Sequence, residues 1–228
     1  MSALTDFILS KTTRISTKPE VSPGAAEQGW QMFNDAGTEV EVSEFIYSLV
    51  RLLKPKLMLE TGTHKGISST YIGQAMKDNG KGLLHTCEIF QENIRDAQAL
   101  WVDVGVQQHI VCHKQESLKL NFSPDTVFDM LFLDSEPQLR FDEFIKFWPL
   151  VRPGGFIMIH DLHQHLGHHG QVYHGELDWP YGFFVPKLGP YIKSHEVQTV
   201  SLPTPRGCTL FQKRADDFEF TNHILGKI

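Results

Sequence analysis

Four acidic residues close apolar runs, and that placement could do chemistry. Glu60 follows Leu57-Met58-Leu59, Glu88 follows Leu83 to Cys87, Asp134 follows Phe128 to Leu133, and Asp161 follows Phe156 to Ile159 and His160. Short apolar runs bounded by turn residues read as buried strands of a parallel sheet, and in open α/β sheets ligands sit outside the carboxyl ends of such strands. An acid at the tip of the second strand, about 20 residues after a glycine turn, is where the ribose hydroxyls of a nucleoside are held.

Between Glu60 and Glu88 lie Gly62 and Gly66, then Ile67, Tyr71, Ile72, Ala75 and Met76 at helical spacing. This reads as strand, glycine turn and helix. Glycine lets the backbone approach a ligand closely, and the following helix offers free N–H groups to an anion. The turn is E-x-G-x-x-x-G, not the dinucleotide pattern G-x-G-x-x-G, and Glu60 would repel a pyrophosphate. An amino-acid-bearing nucleoside suits it better: its ammonium can face the strand-end acids and its carboxylate the helix N-terminus around Ser68.

The other two acids form a second group. Asp134 and Asp161, at the ends of strands four and five, are expected to be neighbours able to share a divalent cation. Magnesium favours such carboxylate oxygens together with retained waters. His160 and His163 are candidates for a base, since imidazole can take a hydroxyl proton near neutral pH. Alternatively Asp134, Asp161, His163 and His165 have donors suited to a transition metal. A His-rich loop without catalytic work is a third reading. Residues 162–189 are dense in His, Gly and aromatics and fit no single period, so they read as a long insertion over the site. Its Trp179, Pro180, Tyr181, Phe183 and Phe184 could wall an apolar acceptor or form the insertion's own core.

The positioning elements follow from periodicity. Val42, Phe45, Ile46, Leu49, Val50 and Leu53 mark an amphipathic helix that Lys54-Pro55 ends. A helix over about 91–104 closes at Gly105, which suits a left-handed cap. Strand three covers 109–113 and runs into Gln115-Glu116-Ser117. A helix over about 139–150 leads through Arg152-Pro153-Gly154-Gly155 to strand five. A helix near 184–193 precedes strands at 196–202 and 208–212, which form an antiparallel hairpin. Residues 1–40 show no long periodic segment and read as an arm or lid in which Trp30 and Phe33 face a substrate or pack on the core. The main domain spans 41–213 and a charged tail follows from 214.

The turn at 60–66, the wording Phe128-Asp129-Met130-Leu131-Phe132-Leu133-Asp134, and Pro153-Gly154-Gly155 before strand five together resemble the class I S-adenosylmethionine-dependent methyltransferases, over roughly residues 40–213. The resemblance implies a Rossmann-like α/β fold: a seven-stranded, mostly parallel sheet of order 3-2-1-4-5-7-6 with an antiparallel terminal hairpin and helices on both faces. It implies S-adenosylmethionine as cofactor, with Glu60, Gly62, Thr63, Gly66 and Ser68 at the methionine end, Glu88 on the ribose, and Glu116 with Ser117 at the adenine. Asp134 would lie at the cofactor and, with Asp161, could bind Mg²⁺ or another divalent cation. The expected reaction moves the methyl group to a hydroxyl of a small molecule, with Asp161, His160 or His163 as catalytic groups. Catechol-type O-methyltransferases carry a lysine three positions after the strand-four Asp and Asp-Asn after strand five. Here Pro137 and Leu162 stand instead, and the His160-Asp161 ending is more similar to natural-product and sugar methyltransferases.

Bulk properties narrow the field. The 228 residues fit one domain plus a cap, and 41% hydrophobic residues suffice for a core. A net charge of −6 without a basic run argues against nucleic acid. Cys87, Cys112 and Cys208 form no C-x-x-C pair and read as reduced core thiols. With no apolar leader or ~18-residue apolar stretch, the expectation is a cytoplasmic protein off the membrane. Homo-oligomerisation stays open. Two rivals remain: a nicotinamide-linked oxidoreductase, and a nucleoside-binding protein without methyl transfer.

Overall fold

The computed structural model describes residues 2–21, 24–33, 37–162, 198–202 and 204–214. The expected insertion, its 184–193 helix, His163, His165 and the tail beyond 214 lie outside them. The chain divides into two units, Met1–Glu116 and Ser117–Ile228.

The first unit opens on a helix that the sequence spacing does not announce. In α1 (Ala3–Lys11), Ser2 caps the N-terminus by accepting from the Thr5 amide, which satisfies one of the donors every helix start leaves over. Ser2 Oγ and Thr5 Oγ1 both donate to Glu44, and Thr5 Oγ1 lies 2.8 Å from the Tyr71 hydroxyl. Ile8 and Thr5 are fully buried. The segment expected to be an arm is therefore tied down by polar contacts that a hydrophobic pattern cannot reveal. A short antiparallel pair follows, β1 (Thr17–Pro19) with β2 (Gln31–Phe33). Phe33 is fully buried, its ring 5.8 Å from that of Tyr71. This is the packing alternative for Phe33.

The expected amphipathic helix forms as α2 (Val40–Leu53) and buries Val42, Ile46 and Val50. Lys54 ends it in the left-handed region, φ +50°, its amide bonded to Val50 O. Next come β3 (Leu57–Thr61), α3 (Ile67–Asp78), β4 (Leu83–Glu88), α4 (Gln91–Val104) and β5 (Ile110–Lys114). The three strands pair in parallel, Met58 opposite Leu84 and Leu84 opposite Ile110. Gly105 caps α4 at φ +75°, donating to Trp101 O and Val102 O, as its position led us to expect.

In the second unit, β6 (Phe128–Leu133) leads to α5 (Arg140–Phe147), β7 (Val151–His160), β8 (Gln198–Leu202) and β9 (Cys208–Gln212). β6 and β7 are parallel, while β7–β9 and β9–β8 are antiparallel. β7 is longer than expected. Arg152-Pro153-Gly154-Gly155 reads as a turn, yet it continues the strand: Val151 pairs with Phe128 across a bulge, and Gly154 N–H donates to Lys213 O. The core here is aromatic, with the Phe144 ring 5.0 Å from Trp148 and 5.2 Å from Phe211. Fully burying each such side chain is worth about 1.5–3 kcal/mol. The sheet order is β5-β4-β3-β6-β7-β9-β8. Counted from β3 as the first strand, that is the expected 3-2-1-4-5-7-6.

Candidate functional site

In the first unit, Glu60 is fully buried near the end of β3. Burying a carboxyl group is costly unless hydrogen bonds replace its water. Ser68 Oγ donates to Oε1 at 2.6 Å and Thr86 Oγ1 to Oε2 at 2.6 Å, and Thr63 Oγ1 lies 2.6 Å from Thr86 Oγ1. Of the expected cofactor residues, Glu60 thus holds Ser68 directly and Thr63 through Thr86, a residue that sequence reasoning missed. Its signal was present, because Thr86 and Glu88 stand two apart on β4 and so share a face.

Glu88 knots the glycine turn to the tip of β4. Its Oε2 accepts from the His64 amide at 2.8 Å, and its Oε1 accepts from the Ile89 and Phe90 amides at 2.8 and 3.0 Å. The turn itself bends through left-handed backbone at Gly62 (φ +82°), His64 (φ +45°) and Gly66 (φ +81°). Thr63 N–H is bonded to Cys87 O at 3.0 Å and Gly66 N–H to Thr63 O at 2.9 Å. Gly66 has a reason beyond ligand approach. A Cβ there would lie 2.7 Å from Ala97 Cβ and 2.9 Å from Trp101 Nε1, so its bare backbone lets α4 pack against the start of α3. Gln115 N–H donates to Glu88 O at 3.1 Å, which brings the start of the loop after β5 to the tip of β4. Glu116 follows, exposed, as the last residue of this unit; Ser117, buried, is the first of the next. Burial, with Glu60 and Glu88 adding to it, pushes the Cys112 thiol up to about 11, consistent with an inert core thiol.

In the second unit, Asp134, His160 and Asp161 come together at the ends of β6 and β7. His160 Nδ1 lies 2.9 Å from Asp134 Oδ1 and 3.7 Å from Asp161 Oδ1. His160 is 1% exposed. Asp161 adopts φ +54°, a left-handed backbone that Asp tolerates better than most residues but at some cost, and such outliers gather at functional sites.

The cluster has two cations that sequence reasoning missed. Arg140, first residue of α5, has a side chain only 4% exposed. Its Nη2 donates to Asp134 Oδ1 at 3.2 Å, Asp161 Oδ2 at 3.0 Å and Ser135 O at 2.8 Å, and its Nη1 donates to His160 O. Arg206 Nε stands 3.7 Å from Asp161 Oδ1. Burial works to raise the Asp161 pKa, but His160, Arg140 and Arg206 together outweigh it and hold the carboxyl well below the usual range. Asp161 Oδ1 makes no hydrogen bond among the described residues. Nothing in the spacing of Arg140 or Arg206 marks them, since each reads as an ordinary surface cation.

One donor atom from each of Asp134, His160 and Asp161 lies within 4.8 Å of the others. That spacing could serve a cation, but Arg140 already binds both carboxylates.

Residues 59–162 match the family model described as a methyltransferase domain. "Probable caffeoyl-CoA O-methyltransferase 2" of Dictyostelium discoideum is 26% identical over 134 residues, 56% of this chain and 57% of that protein. The chain spans little more than half the length of the curated relatives it matches. Among solved structures, the O-methyltransferase TomG from Streptomyces achromogenes, in complex with S-adenosylmethionine, aligns with TM-score 0.64 at 21% identity, over 80% of this chain and 83% of that one. The S-adenosylhomocysteine-bound methyltransferase PaMTH1 of Podospora anserina aligns with TM-score 0.66 at 16% identity, over 94% and 88%. At such identities the structural likeness establishes the fold. Matching family model, sheet order and strand-tip acids agree: residues 59–162 are similar in sequence to a methyltransferase domain, and the sheet has the Rossmann-like strand order.

Proposed function

We propose that the chain transfers a methyl group from S-adenosylmethionine to a hydroxyl oxygen of a small molecule of natural-product or sugar type. The reading is supported by the methyltransferase domain and by relatives and structural neighbours named as O-methyltransferases. The observation that carries its chemical detail is the 2.9 Å contact between His160 and Asp134. In the first unit, Glu60, Gly62, Thr63, Gly66 and Ser68 serve the methionine end of the donor, and Glu88 accepts from the ribose hydroxyls. Glu88 Oε2, which receives one amide where Oε1 receives two, keeps lone-pair capacity for a further donor. Glu116 and Ser117 serve the adenine.

A methyl on a sulfonium is already activated, so the protein's work is alignment and removal of the acceptor's proton. His160 is the base. With Asp134 accepting from Nδ1–H, the imidazole is held in the tautomer whose Nε2 carries the lone pair. As the acceptor oxygen forms its bond to the methyl carbon, the carbon–sulfur bond breaks, S-adenosylhomocysteine leaves, and the hydroxyl proton passes to Nε2. Asp161 stabilises the imidazolium so formed. A divalent cation at Asp134 and Asp161, the other assignment open to these residues, would have to share both carboxylates with Arg140. The setting is cytoplasmic and the partner a small-molecule acceptor rather than nucleic acid, in keeping with the net charge of −6. Among the described residues no helix is long and apolar enough to cross a membrane.

Calorimetric titration of the purified chain with S-adenosylmethionine and with NAD tests the first step, and transfer of isotopically labelled methyl to a panel of phenols and glycosides tests the second. Saturable NAD binding with none of S-adenosylmethionine would overturn the reading.

A further inference from the structure

We infer that Arg140 occupies the place between Asp134 and Asp161 that a divalent cation would otherwise take, and that this chain works without a metal. The inference rests on the proposed methyl transfer only for its functional consequence; the exclusion of a cation stands on geometry and charge.

The Arg140 guanidinium reaches one carboxylate from each strand tip, Asp134 at 3.2 Å and Asp161 at 3.0 Å. Those are the two groups that would ligate a shared ion. Its seat does not depend on them, because Ser135 O, just past β6, and His160 O, at the end of β7, accept from the same guanidinium. A metal entering here would have to break backbone hydrogen bonds as well as ion pairs, in a place where the displaced arginine, 4% exposed, has little water to turn to. Leaving a buried charge without its partners is strongly unfavourable.

Charge counting points the same way. Two carboxylates face two guanidiniums, Arg140 and Arg206. With both carboxylates already paired, a divalent ion would add two further positive charges to a poorly solvated site. Arg140 also donates to the same Asp134 oxygen that contacts His160 Nδ1. It is therefore a positioning residue, fixing Asp134 and through it the imidazole.

The test titrates Mn²⁺ into the chelator-treated 228-residue chain, read by electron paramagnetic resonance, for the native chain, Arg140→Met and Arg140→Met/Asp161→Asn, with circular dichroism to confirm folding. Methionine keeps much of the length of arginine without its charge. The native chain is expected to bind no stoichiometric Mn²⁺, R140M to bind one ion at least 100-fold more tightly, and the double variant to lose it. One ion on the native chain that Asp134→Asn removes would overturn the inference, and so would a folded R140M that gains no ion. Should R140M fail to fold, the native chain decides: no stoichiometric Mn²⁺ supports the inference, and one ion that Asp134→Asn removes overturns it. Because Mn²⁺ binding is read without methyl transfer, a chain that ignores S-adenosylmethionine would defeat the proposed function and leave this result interpretable.

Discussion

His160 Nδ1 and Asp134 Oδ1 stand 2.9 Å apart, joining the ends of two parallel strands through one hydrogen bond. If this pair supplies the base, replacing either member should lower turnover without weakening the donor. His160→Gln is expected to cut kcat roughly 100- to 10,000-fold, the usual span for a lost general base. Asp134→Asn should lower it as well, by leaving the imidazole free to adopt the wrong tautomer. Calorimetry should give unchanged S-adenosylmethionine affinity for H160Q. Full activity in both variants would remove this mechanism.

The Gly66 position tests the packing reason for the turn. Gly66→Ala places a methyl 2.7 Å from Ala97 Cβ at φ +81°. Left-handed backbone and overpacking together are expected to cost about 2–4 kcal/mol. Urea denaturation should show a lower midpoint with an unchanged slope. A loss under 0.5 kcal/mol would mean that α4 shifts freely at this contact.

Thr86 tests the hydroxyl network around Glu60. Thr86→Val keeps the shape but strips the donor from Glu60 Oε2 and the partner from Thr63. An unsatisfied buried acceptor costs about 1–3 kcal/mol. The expected result is that loss of stability together with weaker S-adenosylmethionine binding. Thr86→Ser should restore both.

The first unit also carries a pH response. His85 Nδ1 and His113 Nε2 lie 2.8 Å apart with the rings stacked, 5.1 Å between centroids. Burial lowers both pKa values, and for His85 the neighbouring His113 lowers it further. Below the ordinary histidine pKa of about 6.5 the unfolded chain takes up more protons than the folded one, so stability falls with acid. The contribution is present above about 6.5 and is lost as pH drops toward the folded-state values. Comparing urea midpoints at several pH values should show a steeper decline from pH 7 to 5 for the native chain than for His85→Asn/His113→Asn. Parallel curves would remove the pair from the account.

What the sequence makes legible here is local. The apolar spacing from Val42 to Leu53, the glycine after Val104 and the unbroken apolar run of β6 each encode their element within a few residues. So does the placement of Glu60, Glu88, Asp134 and Asp161, since a strand's end is visible where its apolar run stops. Other features depend on partners distant in the chain. Gly154 belongs to a strand because Lys213 O accepts its amide, and Arg140 belongs to the site because β7 delivers Asp161 and the His160 carbonyl to it. Neither partner can be inferred from Pro-Gly-Gly or from an arginine opening a helix. α1 escaped notice for a similar reason, because Glu44 and Tyr71 hold it rather than an apolar stripe of its own.

That last anchorage reaches further than the helix it secures. Tyr71 sits on α3, five residues beyond Gly66, and burial, the largest influence on it, pushes its phenol well above the ordinary range. Shortening the chain by its first dozen residues would uncover that hydroxyl and orphan Glu44, loosening α3 from behind while every residue of the glycine turn stayed intact. A truncation made to tidy the terminus for crystallisation would therefore register first as poorer grip on the methyl donor.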